Sequence, residues 1–449
     1  MKMLRVFTTV VAVLMVGGMV LNAQTTTLLT LEDALKIALS ESETVRIADK
    51  EVERTGYAKK GAYASLFPQI DLSGSYQRTL IKNDIRAMMG SDNAMTSMMQ
   101  DTKIGSSNTF SLGATAAMPL VNAALWKSLK ISGQSVELAV EKARGSRLNL
   151  VAQVKQAYYS AQLAKEVFNV YKDVYENAKQ NYVLTELKYN AQKASELEMS
   201  TAKTSLANAI PNMYNAESNV ILALWQLKAV IGMSLDEPID VVGGLKEYSS
   251  EMIVADNAED LSLDQNTTMR QLAIQADQLL ETVKLRQLAY VPTLAIAANF
   301  TYSSVSNDPI KNLGWFPYSY AGLSLSIPIF SGGKRLNDVR QARNQYQQMQ
   351  LQVQNTEKQM RILVRQKLAS METAIKAYHA SQDALQSAQK AYDIAAKSYE
   401  VGRATLTQLN DAQLALTQSQ LGVNQNVFNF ISAKAELESV LGEDMNEVK

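Results

Sequence analysis

The chain repeats itself at a constant offset of 210 residues. Tyr399 falls on Tyr189, Thr405 on Ser195, Ala412 on Ala202, and Leu441-Gly442 on Ile231-Gly232. An offset held without gaps over that length marks an internal duplication, so one copy constrains what the other folds into. Its sharpest piece is residues 398–416, SYEVGRATLTQLNDAQLAL. A long helical pattern runs in, breaks at Val401-Gly402-Arg403-Ala404-Thr405, and resumes at once. Gly402 supplies the backbone freedom for a tight reversal. Thr405, with Gln408 three residues on, makes a capping box for the helix that leaves. This is the tip of a helical hairpin, and Gln192-Lys193-Ala194-Ser195 belongs to its counterpart. That first tip has no glycine, so Asn190 is the expected left-handed residue.

Between the tips the hydrophobic period changes. Residues 31–66 keep helical spacing behind a Thr30 cap with Asp33 at its third position. After Pro68 the period is two: Ile70, Leu72, Gly74 and Tyr76 alternate with polar neighbours. A second alternating run, residues 109–118, stops at Pro119. The other copy repeats the plan, with a helix over 266–290, Pro292, a strand from Thr293, a loop with Trp315 and Pro317, and a strand over 319–327 before Pro328. Pro68, Pro119, Pro292 and Pro328 are therefore placed at helix–strand junctions, since proline suits neither a ladder nor a helix interior. The first inter-strand loop, 80–107, carries Met88, Met89, Met95, Met98 and Met99, read as an adaptable exposed loop.

Each strand has about ten residues with one apolar and one polar face, the signature of a membrane-spanning strand. Four strands cannot close a barrel, and an open edge is not viable in lipid. Chains must pool strands, and three copies give twelve. Residues 124–189 and 334–399 are the two long helices, each ~100 Å at 1.5 Å per residue. Their inner faces keep a heptad, from Leu150 to Tyr189 and from Met360 to Tyr399, the seam of antiparallel coiled-coil packing. Return helices follow over 195–231, where Pro211 should introduce a kink, and over 405–441.

Composition narrows the function. Lysine and arginine number 44 and acids 44, which argues against nucleic-acid binding. Cysteine is absent and His379 is the sole histidine, so thiolate metal sites and a nucleophile–histidine pair have nothing to build on. Gly332-Gly333 lacks any phosphate-loop context. No enzyme, cofactor or metal is expected. Residues 1–23 read as an export signal with Lys2, Arg5 and an apolar run. The domain reading is then 1–23 signal peptide, 24–232 first repeat, 233–264 an acid-rich inter-repeat segment on the outside of the helical body, and 265–449 second repeat.

Leu66-Phe67-Pro68-Gln69-Ile70, Val291-Pro292-Thr293-Leu294, Met118-Pro119-Leu120, Ile327-Pro328-Ile329-Phe330-Ser331-Gly332-Gly333 and Tyr399-x-Val401-Gly402-x-x-Thr405 occur in a duplicated order that resembles the TolC-type outer-membrane efflux channels. The resemblance covers residues 30–442. It implies a membrane α+β fold, with four transmembrane strands per chain and long antiparallel coiled coils. It further implies a homotrimer whose twelve-stranded barrel sits among outer-membrane lipid and continues as a periplasmic helical barrel. The tips, including Val401 to Thr405 and Gln192 to Ser195, would meet a periplasmic adaptor (membrane fusion) protein that couples them to an inner-membrane RND or ABC pump. By position, the family's gate falls on Glu198, Tyr399, Gln408 and Asp411, with Glu198 expected to meet Tyr399. The family's linking arginine falls on Ala404, one position from Arg403. Glu198 and Asp411 also sit in first turns of helices, where acids favour the dipole, so solvated acids and gate acids both fit. Small-molecule efflux, polypeptide secretion and, in another class, a structural coiled-coil scaffold are the competing functions; the four amphipathic runs speak against the last.

Overall fold

The computed structural model describes residues 27–84, 103–252, 261–307 and 313–442. The proposed export signal, the five loop methionines and Pro309 lie outside the described residues. The chain divides into two compact units. One holds residues 49–143 and 268–356, the other residues 1–48, 144–267 and 357–449. No helix among the described residues is long and apolar enough to cross a membrane.

The first unit is built on a four-stranded antiparallel sheet. Its strands are β2 (Gln69–Arg78), β5 (Asn108–Val121), β7 (Thr293–Ser306) and β8 (Trp315–Ser326), in the order β2-β5-β7-β8. The short pair β3 (Asn83–Asp84) and β4 (Lys103–Ile104) extends the first hairpin, and β1 (Thr27–Leu29) belongs to the other unit. Register keeps the two faces distinct: Leu72 pairs with Ala114, Ala114 with Phe300, and Ile296 with Leu323. On the opposite face Ser75 meets Ser111 and Ser111 meets Ser303. At the loop end of the apolar face, Tyr76 stacks on Phe110 at 4.7 Å and Tyr302 on Trp315 at 5.3 Å.

Two prolines lie inside strands: Pro119, expected at a junction, and Pro317, expected in the second inter-strand loop. β5 continues through Pro119 to Val121, and β8 begins before Pro317, which pairs with Tyr302. Both sites tolerate a missing donor. β2 begins opposite Ala117, so β5 has only one neighbour at Pro119, and a bulge follows before Val121. β8 is an edge strand of this sheet. Pro68 and Pro292 directly precede β2 and β7, and Pro328 follows β8.

Helices α1 (Leu31–Glu41), α2 (Glu43–Ala64), α3 (Ala123–Asn190), α4 (Glu196–Ile231), α5 (Thr267–Gln287), α6 (Lys334–Glu400) and α7 (Leu406–Leu441) complete the fold, with short 3-10 turns at Leu245–Glu251 and Leu288–Tyr290. The first helical stretch is two helices, not one. Ser42 is extended (ψ 130°), and its hydroxyl accepts the Thr44 N–H, so it ends α1 and starts α2. The Thr30–Asp33 capping box forms as the pattern predicts. α4 runs unbroken through Pro211. In the sheet unit, Lys127, Lys130 and Lys284 all reach the buried Glu281 carboxylate within 3.0 Å. These bonds, led by Lys127, hold its pKa down at about 2 and fasten α3 to α5.

In the helical unit, β1 pairs in parallel with β6 (Ile239–Val241). Part of the inter-repeat segment packs into the core of this unit: Val241, Leu245 and Met252 are buried with Leu150, Val154, Tyr158, Leu227 and Phe430. The Tyr158 hydroxyl donates to the carbonyls of Leu29 and Val242, and burial pushes its pKa up to about 12. Lys165 pairs with Asp240 and Lys155 with Glu438, both at 2.8 Å.

Candidate functional site: the paired helical tips

Two five-residue reversals, 191–195 and 401–405, join α3 to α4 and α6 to α7. Their closing backbone bonds coincide at the 210-residue offset, and the second tip adds one from the Ala404 N–H to the Ser398 carbonyl. The Lys193 N–H donates to the Lys188 carbonyl and the Gln192 N–H to Tyr189. Arg403 donates to Ser398 and Gly402 to Tyr399 in the same way. Each is a Schellman closure, which requires a left-handed residue at the same place. That residue is Gly402 at φ 77° in the second tip and Gln192 at φ 59° in the first. The expectation of Asn190 is corrected: α3 includes Asn190, and the turn geometry fixes the left-handed position two residues later, whatever side chain occupies it.

The return helices start identically. Ser195 and Thr405 are N-caps whose hydroxyls accept the N–H groups of Glu198 and Gln408 at 3.2 Å. Reciprocally, the Ser195 N–H donates to the Glu198 carboxylate at 2.8 Å and the Thr405 N–H to the Gln408 carbonyl at 2.9 Å. Two of the four expected gate residues are thus held by local capping.

Tyr399 is placed differently from the expectation. Its contacts are with Thr185 and Lys188 of α3, while Glu198 is occupied with Ser195. The Thr185 hydroxyl already donates to the Asn181 carbonyl at 2.7 Å, so the Tyr399 hydroxyl donates to Thr185, at 2.5 Å. The Lys188 ammonium lies 4.0 Å from the Tyr399 ring centroid and also donates to the Tyr399 carbonyl. Tyr399 is buried with Ala202, Leu406 and Leu409 beneath Tyr182, Tyr392 and Ala404. Burial raises the Tyr392 pKa, and a hydrogen bond to Glu186 raises that of Tyr182, so both stay neutral at physiological pH. Thr185 and Lys188 went unread in the sequence. The available signal was a break in the repeat, since their counterparts are Ala395 and Ser398.

The remaining expected residues form the solvent-facing crown of the tips. Gln192, Lys193, Val401, Gly402 and Arg403 are exposed, while Ala194 and Ala404 are half-buried. Asp411 is exposed on α7, six residues past the Thr405 cap. The arrangement offers a capped, rigid pair of helix ends and a chemically mixed surface, with no assembled nucleophile or metal-ligand set among the described residues.

Comparison with known proteins agrees with this architecture. The profile of the outer membrane efflux protein family matches residues 34–233 and 259–443. The chain is 20% identical over 376 residues to outer membrane protein TolC of Escherichia coli, covering 79% of this chain and 73% of that protein. It is 24% identical over 257 residues to the alkaline protease secretion protein AprF of Pseudomonas aeruginosa, covering 55% of this chain and 52% of AprF. Among solved structures, the CmeC outer membrane channel of Campylobacter jejuni superposes with a TM-score of 0.73 at 20% identity, over 92% of this chain and 85% of CmeC. With the family profile matched across both copies, the chain belongs to the outer membrane efflux protein family.

Proposed function

We propose that this outer-membrane exit duct works as a homotrimer, with β8 of each copy pairing with β2 of the next to close a twelve-stranded barrel. The observation that carries the reading is the pair of open edges. β2 and β8 each have one neighbour, run in opposite directions, and span 10 and 12 residues. In lipid every unpaired backbone group costs several kcal/mol, so the edges must find each other in neighbouring copies. The tips then meet a periplasmic adaptor protein through Gln192, Lys193, Val401 and Arg403, which couples the duct to an inner-membrane RND or ABC pump. Small-molecule efflux is the favoured cargo class; the likeness to AprF, a protease secretion protein by name, supports polypeptide export as the second reading.

The chain lacks cysteine, so a single thiol placed at Arg403 can carry a photo-crosslinker in cells. Capture of a periplasmic adaptor is expected, and the pump it accompanies would separate the two cargo classes. Capture of sister chains alone would refute docking through this tip. Within the trimer, Tyr399, Glu198 and Gln408 set the closed tip, and Asp411 presents three carboxylates to the pore. Asp411→Ser is expected to raise single-channel conductance in a planar bilayer and weaken block by multivalent cations; unchanged block would remove Asp411 from the gate.

A further inference from the structure

The sheet unit has a charge asymmetry that neither the barrel nor the tips require. The antiparallel order brings the start of β2, the end of β5, the start of β7 and the end of β8 to one end of the sheet. The adjoining segments 55–68, 122–135, 279–292 and 327–340 carry nine lysines and arginines against two acids, a net of +7 in a chain whose total is zero. In the sequence, the connecting segments 79–107 and 307–314 hold four of each sign. Part of the charge is structural, because Lys127, Lys130 and Lys284 share Glu281, and Lys334 pairs with Asp338. Lys59, Lys60, Arg286 and Arg340 have no carboxylate partner among the described residues, and all but the half-buried Lys59 are exposed.

The same segments expose large aromatic side chains: Phe67, Trp126, Tyr290 and Phe330. Cations and rings are interleaved, with the Lys60 ammonium 5.4 Å from the Tyr57 ring and the Arg335 guanidinium 5.6 Å from the Tyr290 ring. Amphipathic rings beside long basic side chains suit a membrane–water interface, where the apolar bodies enter lipid and the charges reach headgroups. A positive surface next to a membrane attracts anionic lipid in proportion to its basic residues.

We propose that these four helix–strand junctions form a collar that binds anionic phospholipid headgroups in the periplasm-facing leaflet; the proposal rests on the reading of the sheet as membrane-spanning. Its ligand is the phosphodiester of a lipid such as phosphatidylglycerol, contacted by Lys59, Lys60, Arg286 and Arg340, with Phe67 and Phe330 anchoring below the headgroups.

The test uses the full protein in phosphatidylcholine nanodiscs carrying a trace of spin-labelled phosphatidylglycerol or spin-labelled phosphatidylcholine. The immobilised fraction of each label gives the ratio of the two association constants. The expected enrichment of phosphatidylglycerol is about fivefold, falling toward one when NaCl is raised to about 1 M, where the screening length is ~3 Å. The variant K59Q/K60Q/R286Q/R340Q should lose most of the preference, and K59R/K60R/R286K/R340K should keep it. A ratio of one in the unaltered protein, or one unchanged in the glutamine variant, overturns the proposal. So does binding to purified peptidoglycan sacculi that the glutamine variant loses while lipid preference is absent. Should the glutamine variant fail to assemble, the salt titration of the unaltered protein still decides. Conductance is recorded in parallel. A conducting protein without lipid preference defeats the collar alone, whereas failure to insert and conduct defeats the membrane-spanning reading beneath it.

Discussion

The two tips have one backbone and two environments. Their closing hydrogen bonds coincide at the 210-residue offset, yet Tyr189 is 41% exposed and Tyr399 only 3%. The difference lies across the hairpins. Tyr399 finds Thr185 and Lys188 on α3. The equivalent partners for Tyr189 on α6 are Ala395, which has no hydroxyl, and Ser398, which has no cation. Duplication therefore preserved what is encoded within six residues of the turn. The contact between copies diverged, and it turned one tyrosine into core while leaving the other at the surface.

The largest break in this comparison should come from removing the rings. Tyr399→Ala empties a buried site and is expected to cost about 3 kcal/mol locally, whereas Tyr189→Ala should stay within about 0.5 kcal/mol. Amide exchange at Arg403 and Lys193 reads each closure separately. Equal acceleration at both tips would mean the two tyrosines are energetically alike despite their burial. Next in size is Thr185→Val, which leaves the Tyr399 hydroxyl buried without its acceptor and should cost about 1–2 kcal/mol. The effect should appear at Arg403 and leave Lys193 untouched.

The smallest effect concerns the left-handed residue itself. A Cβ on Gly402 would meet nothing within 4 Å, so Gly402→Ala isolates backbone strain and should destabilise that closure by about 1 kcal/mol. Gln192→Gly relieves the same strain but loosens the unfolded chain, for a net gain of about 0.5 kcal/mol. Protection at Lys193 should rise as protection at Arg403 falls. A first tip weakened by glycine would show that the Gln192 side chain contributes something the backbone pattern does not.

Most of the architecture was legible because it is written locally. The alternation around Leu72 and Phe300, the Thr30 and Thr405 caps, and the long runs of α3 and α6 each follow from spacing over a few residues. What spacing missed has local and distant causes. Ser42 splits a helix through its own hydroxyl, a short-range competition that hydrophobic periodicity does not register. Pro119 and Pro317 sit within strands because the neighbouring strand has ended or lies on one side only, which depends on pairing across the sheet. β6 joins the core because β1, more than two hundred residues earlier, supplies its partner.

The sequence by itself determined the duplicated order of elements, the position of both tips and the two-faced strands, since hydrogen bonds and periodicities spanning one to six residues are fixed by neighbours in the chain. Only the tertiary structure decided that Gln192 is the left-handed residue, that Glu198 turns back onto Ser195 and does not meet Tyr399, and that Tyr399 is enclosed by Thr185 and Lys188. Those outcomes depend on backbone torsion and on which side chains meet across hairpins some 210 positions apart, and repeat spacing alone carries no information about that meeting.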